Sequence, residues 1–162
     1  MGALSMGGYH APRAVAFEKR FAACLVWGAN PDWGPNLRRR WEGTGTQKSV
    51  PHFFEHVMWV LGTDTVEEAL EVGDPFTLDG VLDLITVPIL IVHGEDDRQV
   101  PVAKAKETFD GCINSPRREL RIFTADEGGE QHCQIGNMSL GTDYMADWIA
   151  DVFQTVPARR NS

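Results

Sequence analysis

Two uninterrupted apolar stretches constrain the fold of this chain more than any other feature. Phe21 to Trp27 and Val87 to Val92 are both of strand length, and a glycine follows each of them closely, at Gly28 and Gly94. Such runs are typical of strands buried on both faces of a parallel sheet. Because helical patterns alternate with them, we predict an α/β fold, a parallel sheet flanked by helices.

Helical patterns are predicted at about 6–19, 52–61, 65 onward, 101–109 and 142–155, with a half-exposed strand at 119–123. Pro12 is expected to kink the first helix, and Thr65 with Glu68 forms a capping box. Residues 31–86, rich in Trp, Gly and Pro, are interpreted either as a cap over a site or as a long helical crossover. We predict a single domain over 1–162, with 31–86 as a cap insertion within it.

Composition limits the possible partners. The chain has 162 residues, with 15 Lys and Arg against 23 Asp and Glu and a net charge of −8, which argues against nucleic-acid binding. The run Arg38 to Arg40 is predicted to be a solvated turn. No apolar stretch approaches the roughly 20 residues that span a bilayer. Three scattered cysteines and the absence of a signal-peptide pattern lead us to expect a cytoplasmic protein.

The segment Ala3-Leu-Ser5-Met-Gly7 matches the nucleophile-elbow pattern G-x-S-x-G, with Ala3 in place of the first glycine. The elbow needs small residues on both sides of the serine, and alanine meets that need. The backbone N–H of Met6 would then point into an oxyanion site. The alternative is that Ser5 is simply a helix N-cap.

Two further segments carry polar groups at the junctions where α/β proteins place their sites. His93-Gly-Glu-Asp-Asp97 follows the second buried strand, and His132 lies in the loop before the last helix. The alternatives are a solvated acidic turn and a surface histidine. The order serine, acid, histidine is that of α/β-hydrolase triads, although the pattern leaves open which of Glu95, Asp96 and Asp97 is the acid.

Weaker candidates remain. His52 and His56 are four residues apart on a predicted helix, yet no third ligand is evident, so zinc is a distant alternative. Cys133 beside His132 invites a thiol interpretation, but neighbours in sequence rarely point the same way.

At these residues the chain resembles the C-terminal part of the α/β-hydrolase superfamily. Within it, the chain is similar to the branch of 2,6-dihydroxypseudooxynicotine hydrolase, fungal polyketide-shortening hydrolases and fermentation–respiration switch esterases. The stretches that carry the likeness are 5–13, 20–28, 65–69, 87–97 and 145–148.

The resemblance implies roles for particular residues. Ser5 would be the nucleophile, Asp97 the triad acid and His132 the base. It also implies hydrolysis of a small-molecule ester, or of a carbon–carbon bond next to a ketone, without any cofactor or metal. From composition, Trp33 and Trp41 are expected to bind an aromatic or polyketide substrate.

One departure from the family shapes the remaining expectations. The family places its serine near the middle of the domain, whereas here it is residue 5, so we expect the loop with the second oxyanion donor to be missing. The lead strand, Met1 to Leu4, would leave an open sheet edge. We therefore expect a homodimer through that edge, or alternatively a non-catalytic half-domain that acts only with a partner chain.

Overall fold

The centre of the molecule is a four-stranded parallel sheet, as predicted. The computed structural model describes residues 1–43 and 51–155. The strands are β1 (Gly2–Leu4), β2 (Cys24–Trp27), β3 (Ile89–Gly94) and β4 (Arg118–Phe123), in the order β1-β2-β3-β4. Every neighbouring pair is parallel, so the residues that follow the four strands meet at one edge of the sheet.

Six α-helices within the described residues surround the sheet: α1 (Gly7–Phe17), α2 (Trp33–Trp41), α3 (Phe53–Leu61), α4 (Val66–Gly73), α5 (Val102–Gly111) and α6 (Met138–Thr155). Helix α1 continues through Pro12, which was expected to kink it. Helix α6 begins four residues before the predicted start and includes Gly141. A Cβ at Gly141 would lie 2.7 Å from the Trp27 ring, so this glycine lets the helix approach the sheet instead of ending it.

The alternation of side chains along β3 explains why the apolar run is continuous. Ile89 and Ile91 belong to the core cluster that includes α1, and Leu90 and Val92 belong to the cluster that includes Trp148 of α6. All four β3 side chains are fully buried. Both faces of the sheet are therefore covered, which is the arrangement that a parallel sheet requires.

Helices α2, α3 and α4 lie between β2 and β3 in the chain. The predicted capping box opens α4: Thr65 Oγ1 accepts the Glu68 N–H at 3.2 Å, and the Glu68 carboxylate accepts the Thr65 N–H at 3.3 Å. Helices α2 and α4 pack so closely that a Cβ at Gly34 would lie 2.0 Å from the Gly73 carbonyl oxygen. Part of the predicted cap, residues 44–50, lies outside the described residues.

The three cysteines are free and buried. Within residues 1–43 and 51–155, none of the helices has the length and apolar character needed to cross a membrane.

Candidate active site

Ser5 lies in the tight turn between β1 and α1. Its φ of +56° is in the left-handed region, which a non-glycine residue adopts only when its surroundings hold it there. The Ser5 N–H donates to the Trp27 carbonyl at 2.8 Å, and the Ser5 carbonyl accepts the Gly8 N–H at 2.7 Å. The turn is thus fixed through its backbone, and Ser5 borders an open cavity.

The glycines after Ser5 are required by close backbone packing. A Cβ at Gly7 would lie 2.4 Å from the Ala3 Cβ, and one at Gly8 would lie 2.0 Å from the Gly28 carbonyl oxygen. The Ala3 methyl group fits because Gly7, its neighbour in space, has no side chain. This contact explains why the elbow accommodates alanine in place of its first glycine.

Asp97 is the member of the acidic trio that turns inward. It is 6% exposed, whereas Glu95 and Asp96 are exposed. Asp97 Oδ1 accepts the N–H groups of Gln99 at 2.8 Å and Val100 at 2.9 Å. Burial works to raise the pKa of this carboxyl, but the hydrogen bond and charge of a neighbouring imidazole and the Val100 N–H outweigh it and lower the pKa.

That imidazole is His132, which links Asp97 to Ser5. His132 Nδ1 lies 2.6 Å from Asp97 Oδ2, and Nε2 lies 2.9 Å from Ser5 Oγ. Burial disfavours the imidazolium, yet the hydrogen bond and charge of Asp97, helped by Cys133, prevail and raise the pKa of His132 to about 9. The three residues proposed from sequence are therefore brought together in one hydrogen-bonded row.

The His132 loop is held against the ends of the strands. A Cβ at Gly94 would lie 2.2 Å from the Glu130 carbonyl oxygen, and one at Gly28 would lie 3.2 Å from His132 Cε1. Beyond the histidine, Gln134 Oε1 accepts the indole N–H of Trp27 at 2.5 Å. The position of the imidazole thus depends on two glycines at the carboxyl ends of β2 and β3.

His93, the last side chain of β3 before Gly94, was not singled out from the sequence. It is fully buried, and its Nε2 lies 2.9 Å from the Val100 carbonyl oxygen and 3.4 Å from Asp97 Oδ2. Burial lowers the pKa of His93, so it is neutral and donates its proton to the carbonyl. The available sequence signal was a polar residue ending an otherwise apolar strand.

A cavity of about 280 Å³ adjoins Ser5 and His132, near the lower end of the range for small-molecule sites. Helices α2 and α3 supply most of its walls. Trp33, predicted to bind substrate, lines the cavity. Trp41, predicted likewise, is not among the lining residues that the structure describes. Trp41 is 46% exposed, and its ring packs edge-on against Phe54.

Met6, the predicted oxyanion donor, also lines the cavity and is the N-cap residue of α1. Backbone N–H groups at a helix N-terminus have no acceptor within the helix, and the helix dipole favours negative charge there. The Met6 N–H is therefore suited to a developing oxyanion beside Ser5.

Two more cavity residues were missed. The run Arg38 to Arg40 is not a solvated turn, because it forms the last turn of α2 and Arg40 lines the cavity. Asn30, which follows β2, is 6% exposed, and its Oδ1 has no hydrogen-bond partner among the described residues. A buried acceptor left in this state costs about 1–3 kcal/mol, so the cavity wall is suited to a polar ligand.

The predicted distant alternative, zinc, involves His52 and His56. His56 borders the cavity and stacks on Trp59 at 5.9 Å. His52 lies 3.6 Å from Glu55. Within the described residues, no group of three or more His, Cys, Asp or Glu side chains is arranged to hold a metal ion.

Comparison with known proteins agrees with this geometry. No protein-family model matches the chain. The chain is 31% identical over 150 residues to 2,6-dihydropseudooxynicotine hydrolase of Paenarthrobacter nicotinovorans, a match that covers 91% of this chain and 36% of the relative. The chain thus spans little more than a third of the curated relative's length.

Solved structures show the same relationship. The crystal structure of 2,6-dihydroxy-pseudo-oxynicotine hydrolase matches with a TM-score of 0.68 and 30% identity, over 93% of this chain and 39% of that protein. Est1E of Butyrivibrio proteoclasticus matches with a TM-score of 0.66 and 18% identity, over 96% of this chain and 61% of that protein. The Pyrococcus furiosus esterase Pf2001 matches with a TM-score of 0.59 and 15% identity, over 94% of this chain and 51% of that protein. The latter two establish a shared fold.

Proposed function

Because the chain has the α/β-hydrolase fold and is 31% identical to a hydrolase over 91% of its own length, we propose that it is a serine hydrolase that acts through Ser5, His132 and Asp97. The observation that carries the proposal is the hydrogen-bonded row of 2.9 Å from Ser5 Oγ to His132 Nε2 and 2.6 Å from His132 Nδ1 to Asp97 Oδ2. The substrate is an ester, or a ketone cleaved at the adjacent carbon–carbon bond.

The chemistry follows from the roles of the three groups. Ser5 Oγ attacks the substrate carbonyl while neutral His132 takes its proton at Nε2. The carbonyl oxygen becomes an oxyanion near the Met6 N–H. Asp97 stays ionised and holds the proton of His132 on Nδ1, so that Nε2 is free to act as the base.

Collapse of the tetrahedral intermediate breaks the bond to the leaving group, which takes the proton from His132 Nε2. In an ester that proton goes to the alcohol oxygen, and in a ketone it goes to the carbanion carbon. Water, deprotonated by His132, then attacks the acyl-enzyme and releases the acid and Ser5.

We also propose that residues 31–86 act as a cap over this reaction. Helices α2 and α3 supply most of the cavity wall opposite Ser5. Trp33 from α2 would contact an aromatic part of the substrate, where the face of its ring favours stacking. A wall on this side would also limit the access of bulk water to the acyl-enzyme.

A fluorophosphonate probe tests the triad directly, because it bonds only to an activated serine. Wild-type protein should be labelled, and the Ser5→Ala and His132→Ala variants should not. Circular dichroism of the three proteins controls for folding. Labelling that persists in Ser5→Ala would place the nucleophile elsewhere, and a folded wild type that resists the probe would contradict the proposal.

The second candidate is a half-domain that acts by association. β1 is an outer strand of the sheet, and no described strand pairs with its free edge. Beside it, a second cavity of about 290 Å³ is lined mainly by apolar residues of β1, β2 and α6. An open edge next to apolar surface favours pairing with a second copy of the chain.

Sedimentation velocity tests that association. Wild-type protein should sediment as a dimer. Met145→Lys, which places a charge in the second cavity, should sediment as a monomer. A monomeric wild type contradicts edge pairing. A dimer that the probe does not label favours the non-catalytic half-domain over the hydrolase.

A further inference from the structure

The cavity beside Ser5 is lined by basic side chains and by no acidic side chain among the described residues. Its described lining residues include one arginine and two histidines, and neither aspartate nor glutamate. This contrasts with the whole chain, which has 23 acidic and 15 basic residues. In an acidic protein, a cavity of this composition concentrates anions.

The arginine, Arg40, is held in place at the cavity wall. Its side chain is half-buried, its Nη2 donates to the Gln99 carbonyl at 2.7 Å, and its guanidinium lies 4.9 Å from the centre of the Phe53 ring. Burial lowers the pKa of Arg40, but a guanidinium stays protonated in proteins. The charge is therefore fixed in direction by the loop that also carries Asp97.

The other residues of the cavity wall indicate the chemistry of the rest of the ligand. Trp33, Leu37 and Val57 supply apolar surface. Asn30 supplies a buried amide whose Oδ1 has no partner among the described residues. An apolar body with one anionic end and a hydrogen-bonding group would match this lining.

We propose that the substrate of the hydrolase is an anion, with its ionised oxygen on Arg40, its apolar body against α2 and α3, and a polar group on Asn30. This inference rests on the proposed function in calling the ligand a substrate, although binding of the anion does not depend on catalysis. The ligand group that Arg40 would bind is a negatively charged oxygen, which a carboxylate, an ionised enol or an ionised phenol supplies. Arg40 is accordingly a specificity-determining residue.

Calorimetric titration with two matched probes tests the binding. Phenylacetate and phenylacetamide have nearly the same shape and differ in charge. Wild-type protein at pH 7 should bind the carboxylate at least tenfold more tightly than the amide. Arg40→Met should abolish that preference, and Arg40→Lys, which restores a charge, should recover part of it.

The controls separate Arg40 from other charges. Arg39→Met removes the same charge from an exposed position on the same helix and should leave the preference intact. Equal affinity of the wild type for both probes, or no measurable binding of the carboxylate, would overturn the proposal. So would a preference that survives Arg40→Met and disappears in His132→Ala, since the anion would then lie at the imidazolium.

A second pair of probes separates this inference from the proposed function. The anionic 4-nitrophenyl hemiglutarate is compared with the neutral 4-nitrophenyl pentanoate. The ratio of their kcat/KM values should fall at least tenfold in Arg40→Met and stay unchanged in Arg39→Met. Hydrolysis of both esters with no charge preference overturns the anionic substrate and leaves the hydrolase. A preference for phenylacetate in binding, without turnover of either ester, overturns the hydrolase and leaves the anion-binding site.

Discussion

The two sides of the cavity are built in different ways. On the strand side, the proposed catalytic residues are fixed by backbone contacts that leave no room for a Cβ at Gly8 or Gly94. On the helical side, the wall is held by long side chains, such as Arg40 resting on Phe53. From this difference we expect that the strand ends determine the proposed reaction and that the helices determine the choice of substrate.

The largest loss of activity that we expect from this contrast follows substitution of Asp97, the proposed triad acid. Asp97→Asn should reduce kcat/KM by about 10⁴-fold, because an amide does not hold His132 in the required tautomer. The adjacent Asp96→Asn is the matched control, since that side chain is exposed, and it should change kcat/KM by less than about twofold. Steady-state kinetics on an ester that the wild type hydrolyses measures both.

Equal losses in the two variants would leave the acid unassigned. A full loss in Asp96→Asn alone would contradict the geometry at Asp97. Thermal unfolding of both proteins separates lost chemistry from lost folding.

The next effect concerns pH. In the proposed mechanism His132 must be neutral to accept the Ser5 proton. Its pKa is about 9, since Asp97 outweighs the opposing effect of burial, so we expect most of His132 to be imidazolium at pH 7. We expect kcat/KM to rise about tenfold per pH unit above pH 7 and to level off near pH 9. In Asp97→Asn the midpoint should move toward the ordinary histidine value of about 6.5. A wild-type midpoint at or below 6.5 would contradict the role of Asp97.

The smallest effect lies on the helical side. Trp33→Ala should raise KM for an aryl ester about tenfold and leave kcat within about threefold, because the ring lines the cavity and takes no part in the chemistry. Trp41→Ala is the matched control and should leave both constants unchanged, since Trp41 packs on Phe54. A larger KM effect at Trp41 would place the substrate over the outer surface of α2.

Much of the strand side could be predicted from sequence. Continuous apolar runs located β2 and β3, and the order of Ser5, Asp97 and His132 pointed to one site. Among the three consecutive carboxylates, Asp97 was chosen on the resemblance, because the residue pattern does not show which oxygen meets the N–H groups of Gln99 and Val100. Only the folded loop determines that.

The helical side was harder to predict, for a geometric reason. Consecutive residues on an α-helix point about 100° apart, so three arginines in a row cannot share one direction. Arg38 pairs with Asp74 outside the cavity, whereas Arg40 lines it. Likewise, Trp33 and Trp41 lie about 12 Å apart along the axis of α2, a separation that composition alone does not reveal.

The glycines beneath His132 also bear on how this protein could be altered in the laboratory. A Cβ at Gly28 would meet Cys133 Sγ at 3.0 Å, and Gly94 has even less room. We expect randomised libraries that include these codons to consist mostly of clones in which His132 is displaced. Diversity placed on the cavity-facing codons of α2 and α3 would instead change the cavity wall and leave the positions of Ser5, Asp97 and His132 intact.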